Sequence, residues 1–547
     1  MPVPHVNELS AAHPKNLARF PPSRILPSPR GAIPISRSSP TGVDQVFHSA
    51  MPPALLLALT LVVGILLLII LVDVIYTRLL RPSSAPPTAL VLPVVGGMLS
   101  FLGGPLALIS KFHASCGECF TLPVLHKRIT FLIGPHASPF FFKAPDTALS
   151  QKEVYEFNVP TFGKGVVFDV DHVTRAEQFR FFAEALKGNR MRSYVQMMVK
   201  EAEEFFGAWG DEGVVDLRDE LSRLVVLTAS RCLLGKEVRE TFQDEVAHLV
   251  HELDMGMVPL SVFFPYFPIE PHRRRDAARK ELAKIFDGIV EKRRQENREE
   301  EDVLNTFVHA KYRDGSQLTN DQVLGMLIAV LFAGQHTSSI TSTWTGLLLL
   351  ESHQKQKKGI LEGSGKSATF LEKVLDEQRK VIAEHGDELT FDILQSMDSL
   401  HFSIKEALRM HPPLIMLLRY AHAPFDVTTS DGKTYTVPKG DIIATSPAYS
   451  HRLDHVFDKA DEYKPSRLEP GAAEDAKVPF SFIGFGGGRH GCMGEAFAYL
   501  QIKAIWSIAL RNFEFELIGD NAPEADLTGM VVGPYASQVR FKRRKLK

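Results

Sequence analysis

The chain has 547 residues, 45% of them hydrophobic and 23% charged, with a formal net charge of -2. That is an ordinary globular balance, and it excludes a nucleic-acid or polyanion binder built on bulk charge. Four cysteines are too few for a disulfide framework and suit a reducing compartment.

Residues 1–50 are rich in Pro, Ser, Ala and Arg, with Glu8 and Asp44 as their acids. Such a stretch cannot bury a core and is expected to be disordered. It reads either as a transit-like leader or as an extension preceding a start at Met51. From Ala54 to Val72 nineteen residues pass without a charge, about what a hydrocarbon core of ~30 Å requires. Residues 54–76 are therefore expected to form a transmembrane anchor. A signal peptide is the alternative, but Asp73 and Tyr76 do not make a small-residue cleavage site. Arg78 and Arg81 follow, which by the positive-inside rule places the large C-terminal part in the cytosol; the basic residues of 1–50 argue weakly the other way. Pro82, Pro86, Pro87 and Pro93 make residues 77–94 a stiff linker.

Residues 95–547 read as one mainly α domain with a small β region. Short strands and turns are expected over about 95–145, helices from about 176 with charged surface segments such as 271–300, and strands near 425–445. Residues 319–351 read as one long helix opened by a capping box of Thr319 and Gln322. Its apolar run from Val323 to Gly334 is too short to cross a bilayer, so a buried core helix is expected. The string FAGQHTSS interrupts that run. Buried polar groups need partners, so the cluster implies a cavity, water or a ligand; hydroxyls bonding back to helix carbonyls are the plainer alternative. The polar stretch 352–367 reads as a mobile surface loop.

Near the C-terminus, Phe485-Gly-Gly-Gly-Arg-His490-Gly-Cys492-Met-Gly494 crowds five glycines round one cysteine. Glycine lets the backbone pass close to a bulky flat ligand. A helical run over about 494–512 begins directly afterwards, and its dipole and free N–H groups favour a thiolate. Cys492 is thus a candidate metal ligand, with a buried free cysteine as the alternative. Cys116 and Cys119 have CxxC spacing, but no second pair completes a zinc site, and they read as an incidental turn.

The cysteine segment closely resembles the haem-binding signature of the cytochromes P-450, with Phe seven and Gly four residues before the cysteine. The resemblance implies the cytochrome P-450 fold and haem b (iron protoporphyrin IX) with Cys492 as the iron ligand, a ligation that favours O–O cleavage. The family usually carries Arg where this chain has His490, and sterol 14α-demethylases share that departure. Glu406 and Arg409 in IKEALRMHPP stand 86 residues before Cys492 and match the family's Glu-x-x-Arg motif. Arg467 in Tyr463-Lys-Pro-Ser-Arg467-Leu matches the third member of that structural network, with its usual Glu and Phe neighbours replaced.

Three further strings resemble the sterol demethylases. FAGQHTSS is similar to the oxygen-activating groove of the distal helix, with Thr337 as its threonine and His336 where the family commonly has an acid. Asp254 in HELDMGM implies a proton-delivery partner for His336. Tyr155-Glu-Phe157-Asn-Val-Pro-Thr-Phe162-Gly-Lys-Gly-Val-Val-Phe168 is similar to the region covering haem and sterol. It implies Tyr155 on a haem propionate and Phe157 and Phe162 facing substrate, together with Ala333 and Leu417; Phe168 stands where a second Tyr is often found. Arg419 and His490 match the other propionate partners. Phe157 further implies the plant-type enzyme acting on obtusifoliol, because demethylases of sterols with two C-4 methyls generally carry Leu or Ile there.

The likeness runs through most of residues 86–545. It implies removal of a sterol 14α-methyl group by three monooxygenations with O2, releasing formate. Electrons would come from NADPH through NADPH-cytochrome P-450 reductase, docked on the Cys492 side near Lys459 and Lys464. The implied location is the endoplasmic reticulum membrane, single-pass, with the catalytic domain cytosolic. Two other readings are a P-450 with a different lipid substrate, which Phe157 and FAGQHTSS oppose, and a non-catalytic haem or sterol sensor, which Thr337 and Cys492 together oppose.

Overall fold

The computed structural model describes residues 53–75, 81–92, 96–124, 127–241, 243–360, 368–527 and 529–547. The expectations for residues 1–50 lie outside this set. Met1–Ile65 and Leu66–Lys547 are separate units. The helix Pro53–Val74 has 22 residues, with Asp73 near its end as its one charged residue. At ~1.5 Å per residue it matches a hydrocarbon core of ~30 Å, and Leu57, Leu61, Leu67, Leu68 and Leu71 are all exposed.

The unit Leu66–Lys547 is mainly helical and built round the long helix Asn320–Lys357. Thr319 and Gln322 close the expected capping box, with N–H···O distances of 3.2 and 2.9 Å. The helix runs past 351 to Lys357, so residues 352–357 are helical rather than loop. Lys355 pairs with Glu351 at 2.8 Å and Lys357 with Glu372 at 2.7 Å, and cations suit a helix C-terminus. Residues 361–367 of the expected loop lie outside the described set. Trp344 of this helix and Trp506 of the helix Glu495–Asn512 are among the largest fully buried side chains.

A five-stranded sheet has the order Cys119–Val124, Lys127–Leu132, Ile442–Thr445, Leu417–Ala421, Leu149–Ser150. Within the stretch 95–145, read as short strands and turns, residues 139–143 depart from that expectation. Pro139–Lys143 is a short helix with Pro in its first turn, where a missing N–H costs nothing. Helices also begin earlier than expected: Gly96–Leu102 and Pro105–Cys116 lie within the stretch read as strands and turns, and a 14-residue helix starts at His172. The charged stretch 271–300 is largely the helix Glu270–Gln295, and it is not all surface: Arg275 and Arg293 are buried.

The linker expected over 77–94 is corrected in its described part. Thr121 N–H donates to the Pro87 carbonyl at 2.9 Å, Ala89 N–H to Thr121 at 2.8 Å, and Thr436 N–H to Ser84 at 2.8 Å. Proline lacks a donor but keeps its carbonyl, so Pro87 joins the strand as an acceptor while Ala89 supplies the N–H. Arg81 donates to Thr121 Oγ1 at 2.8 Å and sits 3.5 Å from the fully buried Asp441. Its charge is paired inside the fold.

Candidate active site

The cysteine segment is a tight loop laid on the start of a helix. Cys492 N–H donates to the Phe485 carbonyl at 2.8 Å, and Gly494 precedes the helix Glu495–Asn512. Gly488 has φ 61, and a Cβ there would lie 1.9 Å from the Phe142 carbonyl oxygen, so only glycine fits this contact. Burial pushes the Cys492 thiol above its ordinary pKa, while the Gly494 backbone N–H pulls it down. Yet Cys492 is exposed, whereas Cys119 and Cys232 are buried. A metal ion bound at this exposed residue would deprotonate the thiol outright. Burial lifts the Cys119 thiol to about 12, which keeps that thiol protonated.

Beside the loop is a cluster of donors. Tyr155 Oη accepts from Leu418 N–H at 3.4 Å, and Arg419 Nη1 donates to the Leu418 carbonyl at 2.9 Å. His490 Nε2 meets Asp146 Oδ1 at 2.6 Å. Arg175, from the helix His172–Ala185, lies with its guanidinium 5.5 Å above the Phe168 ring. Burial lowers the pKa of Arg419 to about 10, with Tyr155 and Asp146 raising it and Arg175 lowering it further. Burial likewise lowers Arg175 and raises Tyr155, with Arg419 opposing. The His490 hydrogen bond holds Asp146 below the usual carboxylate range.

This donor set fits haem. Arg175 Nε, Arg419 Nε and His490 Nδ1 are buried without a hydrogen-bond partner, and leaving buried donors unpaired is costly. Two guanidinium groups and an imidazole lie beside the carboxylates Asp146 and Glu153, and their unpartnered nitrogens leave donor capacity for acidic groups such as two propionates. Arg175 was not singled out by sequence. On its helix Arg180 has the same chemistry but is exposed while Arg175 is buried, and spacing alone does not separate them.

On the other side, a chain of rings joins the Tyr155 loop to the long helix. Tyr155 is 5.4 Å from Phe168, Phe168 is 6.1 Å from Phe162, and Phe162 is 6.3 Å from Phe332. Phe157 is half-buried, 6.4 Å from Tyr155. Ala333 is exposed in the middle of an otherwise mostly buried helix. Leu417 lies against the cysteine loop, with its Cδ1 4.0 Å from where a Cβ on Gly486 would stand.

The polar cluster divides between its two readings. Thr337 Oγ1 donates to the Ala333 carbonyl at 2.6 Å and Thr341 to that of Thr337 at 2.8 Å, the local back-bonding typical of helical hydroxyls. His336 instead leaves the helix, and its Nε2 meets Asp254 Oδ1 at 3.1 Å, both side chains about one-third exposed (31% and 33%).

Beneath the cysteine loop, Glu406 is fully buried between Arg409 and Arg467, both also at 0% exposure. Two members escaped the sequence reading. Glu474 Oε2 accepts from Arg467 Nη1 at 2.9 Å. His451 receives Ile483 N–H on Nε2 at 2.8 Å and contacts the Arg409 carbonyl through Nδ1 at 3.1 Å. An Nε2 that accepts leaves the proton on Nδ1, and burial keeps the imidazole neutral with its pKa at about 3. His451 thus ties the ion network to the strand of chain entering the cysteine loop. In sequence it looked like any histidine of a turn.

The Cytochrome P450 family pattern matches residues 86–541. The obtusifoliol 14-alpha demethylase of Triticum aestivum is 56% identical over 463 residues, covering 84% of this chain and 99% of that protein. The sterol 14-demethylase of Arabidopsis thaliana is 54% identical, covering 85% of this chain and 93% of that protein. Human lanosterol 14-alpha demethylase is 36% identical, covering 83% and 85%. Among solved structures, the retinoic acid bound cyanobacterial CYP120A1 aligns with a TM-score of 0.71 at 21% identity, covering 85% of this chain and all of that one, which supports the fold alone. A thiol on a glycine turn, buried donors without partners beside it and relatives of this similarity lead to one conclusion: the chain belongs to the cytochrome P450 family and, within it, to the sterol 14-demethylases.

Proposed function

We propose that this protein is a haem-thiolate monooxygenase that removes the 14α-methyl group of a sterol, with obtusifoliol as its preferred substrate. The observation that carries the reading is the 56% identity with the wheat obtusifoliol demethylase over 463 residues, which the cationic pocket beside Cys492 supports. Bound haem would supply the oxidative chemistry. Three two-electron oxidations, each using one O2, take methyl to alcohol, then to aldehyde, then cleave the carbon–carbon bond to give formate and a 14,15 double bond.

The chain's own residues hold, orient and protonate. Cys492 would ligate the iron, while Tyr155, Arg175, Arg419 and His490 would hold the propionates. Phe157, Phe162, Ala333 and Leu417 would wall the sterol. Thr337, His336 and Asp254 would deliver protons: an imidazole beside a carboxylate can take a proton from the surface and pass it inward. Electrons must come from a separate redox partner, for which we propose NADPH-cytochrome P-450 reductase. The helix Pro53–Val74 would make the protein single-pass in the endoplasmic reticulum, with its catalytic domain in the cytosol.

The test is a carbon-monoxide difference spectrum with sterol turnover in the presence of a reductase. A red-shifted carbonyl band, absent in Cys492→Ala, together with formate from obtusifoliol supports the reading. A band without turnover of any sterol would favour a sensor, and turnover of other lipids alone would favour a different monooxygenase.

A further inference from the structure

The turn carrying Phe162 is held by a side chain that belongs to none of the motifs. The short helix Val159–Phe162 ends at Gly163, φ 105, a conformation that favours glycine. Helix ends leave carbonyls without intrahelical partners. The Phe162 carbonyl is taken by Arg279 Nη2 at 3.1 Å, while Arg279 Nη1 donates to Asp321 Oδ1 at 2.8 Å.

The fit round that carbonyl is close on two sides. A Cβ on Gly163 would lie 2.0 Å from Arg279 Nη2, and a Cβ on Gly325 of the long helix 2.2 Å from the Phe162 oxygen. The carbonyl is therefore clamped between a guanidinium and the long helix's backbone. Arg279 is 16% exposed and Asp321 51%, so the ion pair is partly screened and the carbonyl bond is the more protected arm. Other elements pin the rest of the loop: Gln178 receives Val167 N–H and donates to the Gly165 carbonyl, both at 2.8 Å. Val167 has φ 46, a conformation a β-branched residue rarely keeps unless its surroundings impose it. Arg279 adds a link from the helix Glu270–Gln295. The ring that this clamp positions touches Phe332 and Phe168, at 6.3 and 6.1 Å, and Phe332 adjoins Ala333.

We propose that Arg279 is a positioning residue for sterol selectivity, setting how far the Phe162 ring projects into the substrate pocket by clamping the Phe162 carbonyl against the long helix. The proposal rests on the sterol reading above.

The test uses the full-length protein with reductase. Arg279→Met should keep the carbonyl band and hold kcat within about 2-fold, while KM for obtusifoliol rises about 10-fold, the low end for loss of a charge-assisted hydrogen bond. Its preference for obtusifoliol over lanosterol should shrink, and amide hydrogen exchange over 159–168 should quicken. Arg279→Lys, which cannot serve both arms at once, should fall between. Asp321→Asn, which leaves the carbonyl bond in place, should stay within about 2-fold of the unaltered protein. An unchanged KM and preference, an equal fall in kcat for both sterols, or an Asp321→Asn variant matching Arg279→Met overturns the clamp. If Arg279→Met does not fold, Arg279→Lys decides by the same KM and exchange readouts. Absence of sterol turnover in the unaltered protein would instead strike down the sterol reading, and unchanged amide exchange would then overturn the clamp by itself.

Discussion

Replacing Glu406 with Gln isolates the charge that holds the base of the haem site. The carboxylate accepts four hydrogen bonds: from Arg409 Nε and Nη2 at 2.8 and 2.9 Å, from Arg467 Nε at 2.9 Å and from Lys464 N–H at 3.0 Å. Both arginines are at 0% exposure, and burial already lowers the Arg409 pKa, with Glu406 pulling it back. An amide keeps the shape but turns a donor toward a guanidinium and leaves Glu474 as the remaining acid beside Arg467. Removing one member of a buried ion pair costs about 3–5 kcal/mol, a large share of the ~5–15 kcal/mol that stabilises an average domain. The pair Arg540–Glu516, 59% and 56% exposed, is the internal control, because an exposed pair contributes no more than about 1 kcal/mol. Urea unfolding of the haem-loaded protein, followed by loss of the carbonyl band, should show Glu406→Gln unfolding at far lower urea than Glu516→Gln. Replacing Glu406, Arg409 and Arg467 together by apolar residues of similar volume should recover part of the loss, since the uncompensated charge goes with them. Equal midpoints for Glu406→Gln and Glu516→Gln would refute the reasoning.

Asp254→Ala and His336→Ala should each lower turnover about 100-fold or more while the sterol-induced spectral shift persists; near-normal turnover in both removes the relay. Phe157→Leu should bring kcat/KM for obtusifoliol and lanosterol together from a difference of about 10–200-fold, and an unchanged ratio would leave Phe157 a packing residue. Acid should destabilise the fold through His451 and through His411, which stacks on Trp344 at 3.6 Å, because burial holds both imidazoles at about 3. Unfolded, each takes up a proton at ~6.5, so their stabilisation is complete above that pH. It is lost as pH falls toward ~3, by up to about 1.4 kcal/mol per pH unit for each group. His451→Gln should flatten the decline in urea midpoint between pH ~6.5 and ~4.5, and an unaltered slope would exclude His451 as a source.

The chain's local patterns determined its longest helices and the identity of its motifs. Nineteen uncharged residues announce the N-terminal helix, a capping box announces the long one, and glycines crowded round Cys492 announce a close approach. All of these are interactions between residues a few positions apart, which a one-dimensional string records directly. The pairing of Glu406 with Arg409 was legible because it closes within one turn, but its depth was not: the same three-residue spacing serves Arg223 and Glu220 on the surface, 56% and 20% exposed.

Only the tertiary structure decided which charges are buried and what they meet. It put Arg175 rather than Arg180 into the pocket, joined His451 to Ile483, placed Glu474 beside Arg467, and set Arg279 on the Phe162 carbonyl across 117 residues of sequence. It also bound the proline segment after Arg81 to the sheet where a stiff linker was expected. The physical reason is the same in each case. An arginine or histidine has one identity in sequence, while its role is set by desolvation and by partners brought near through packing of distant elements.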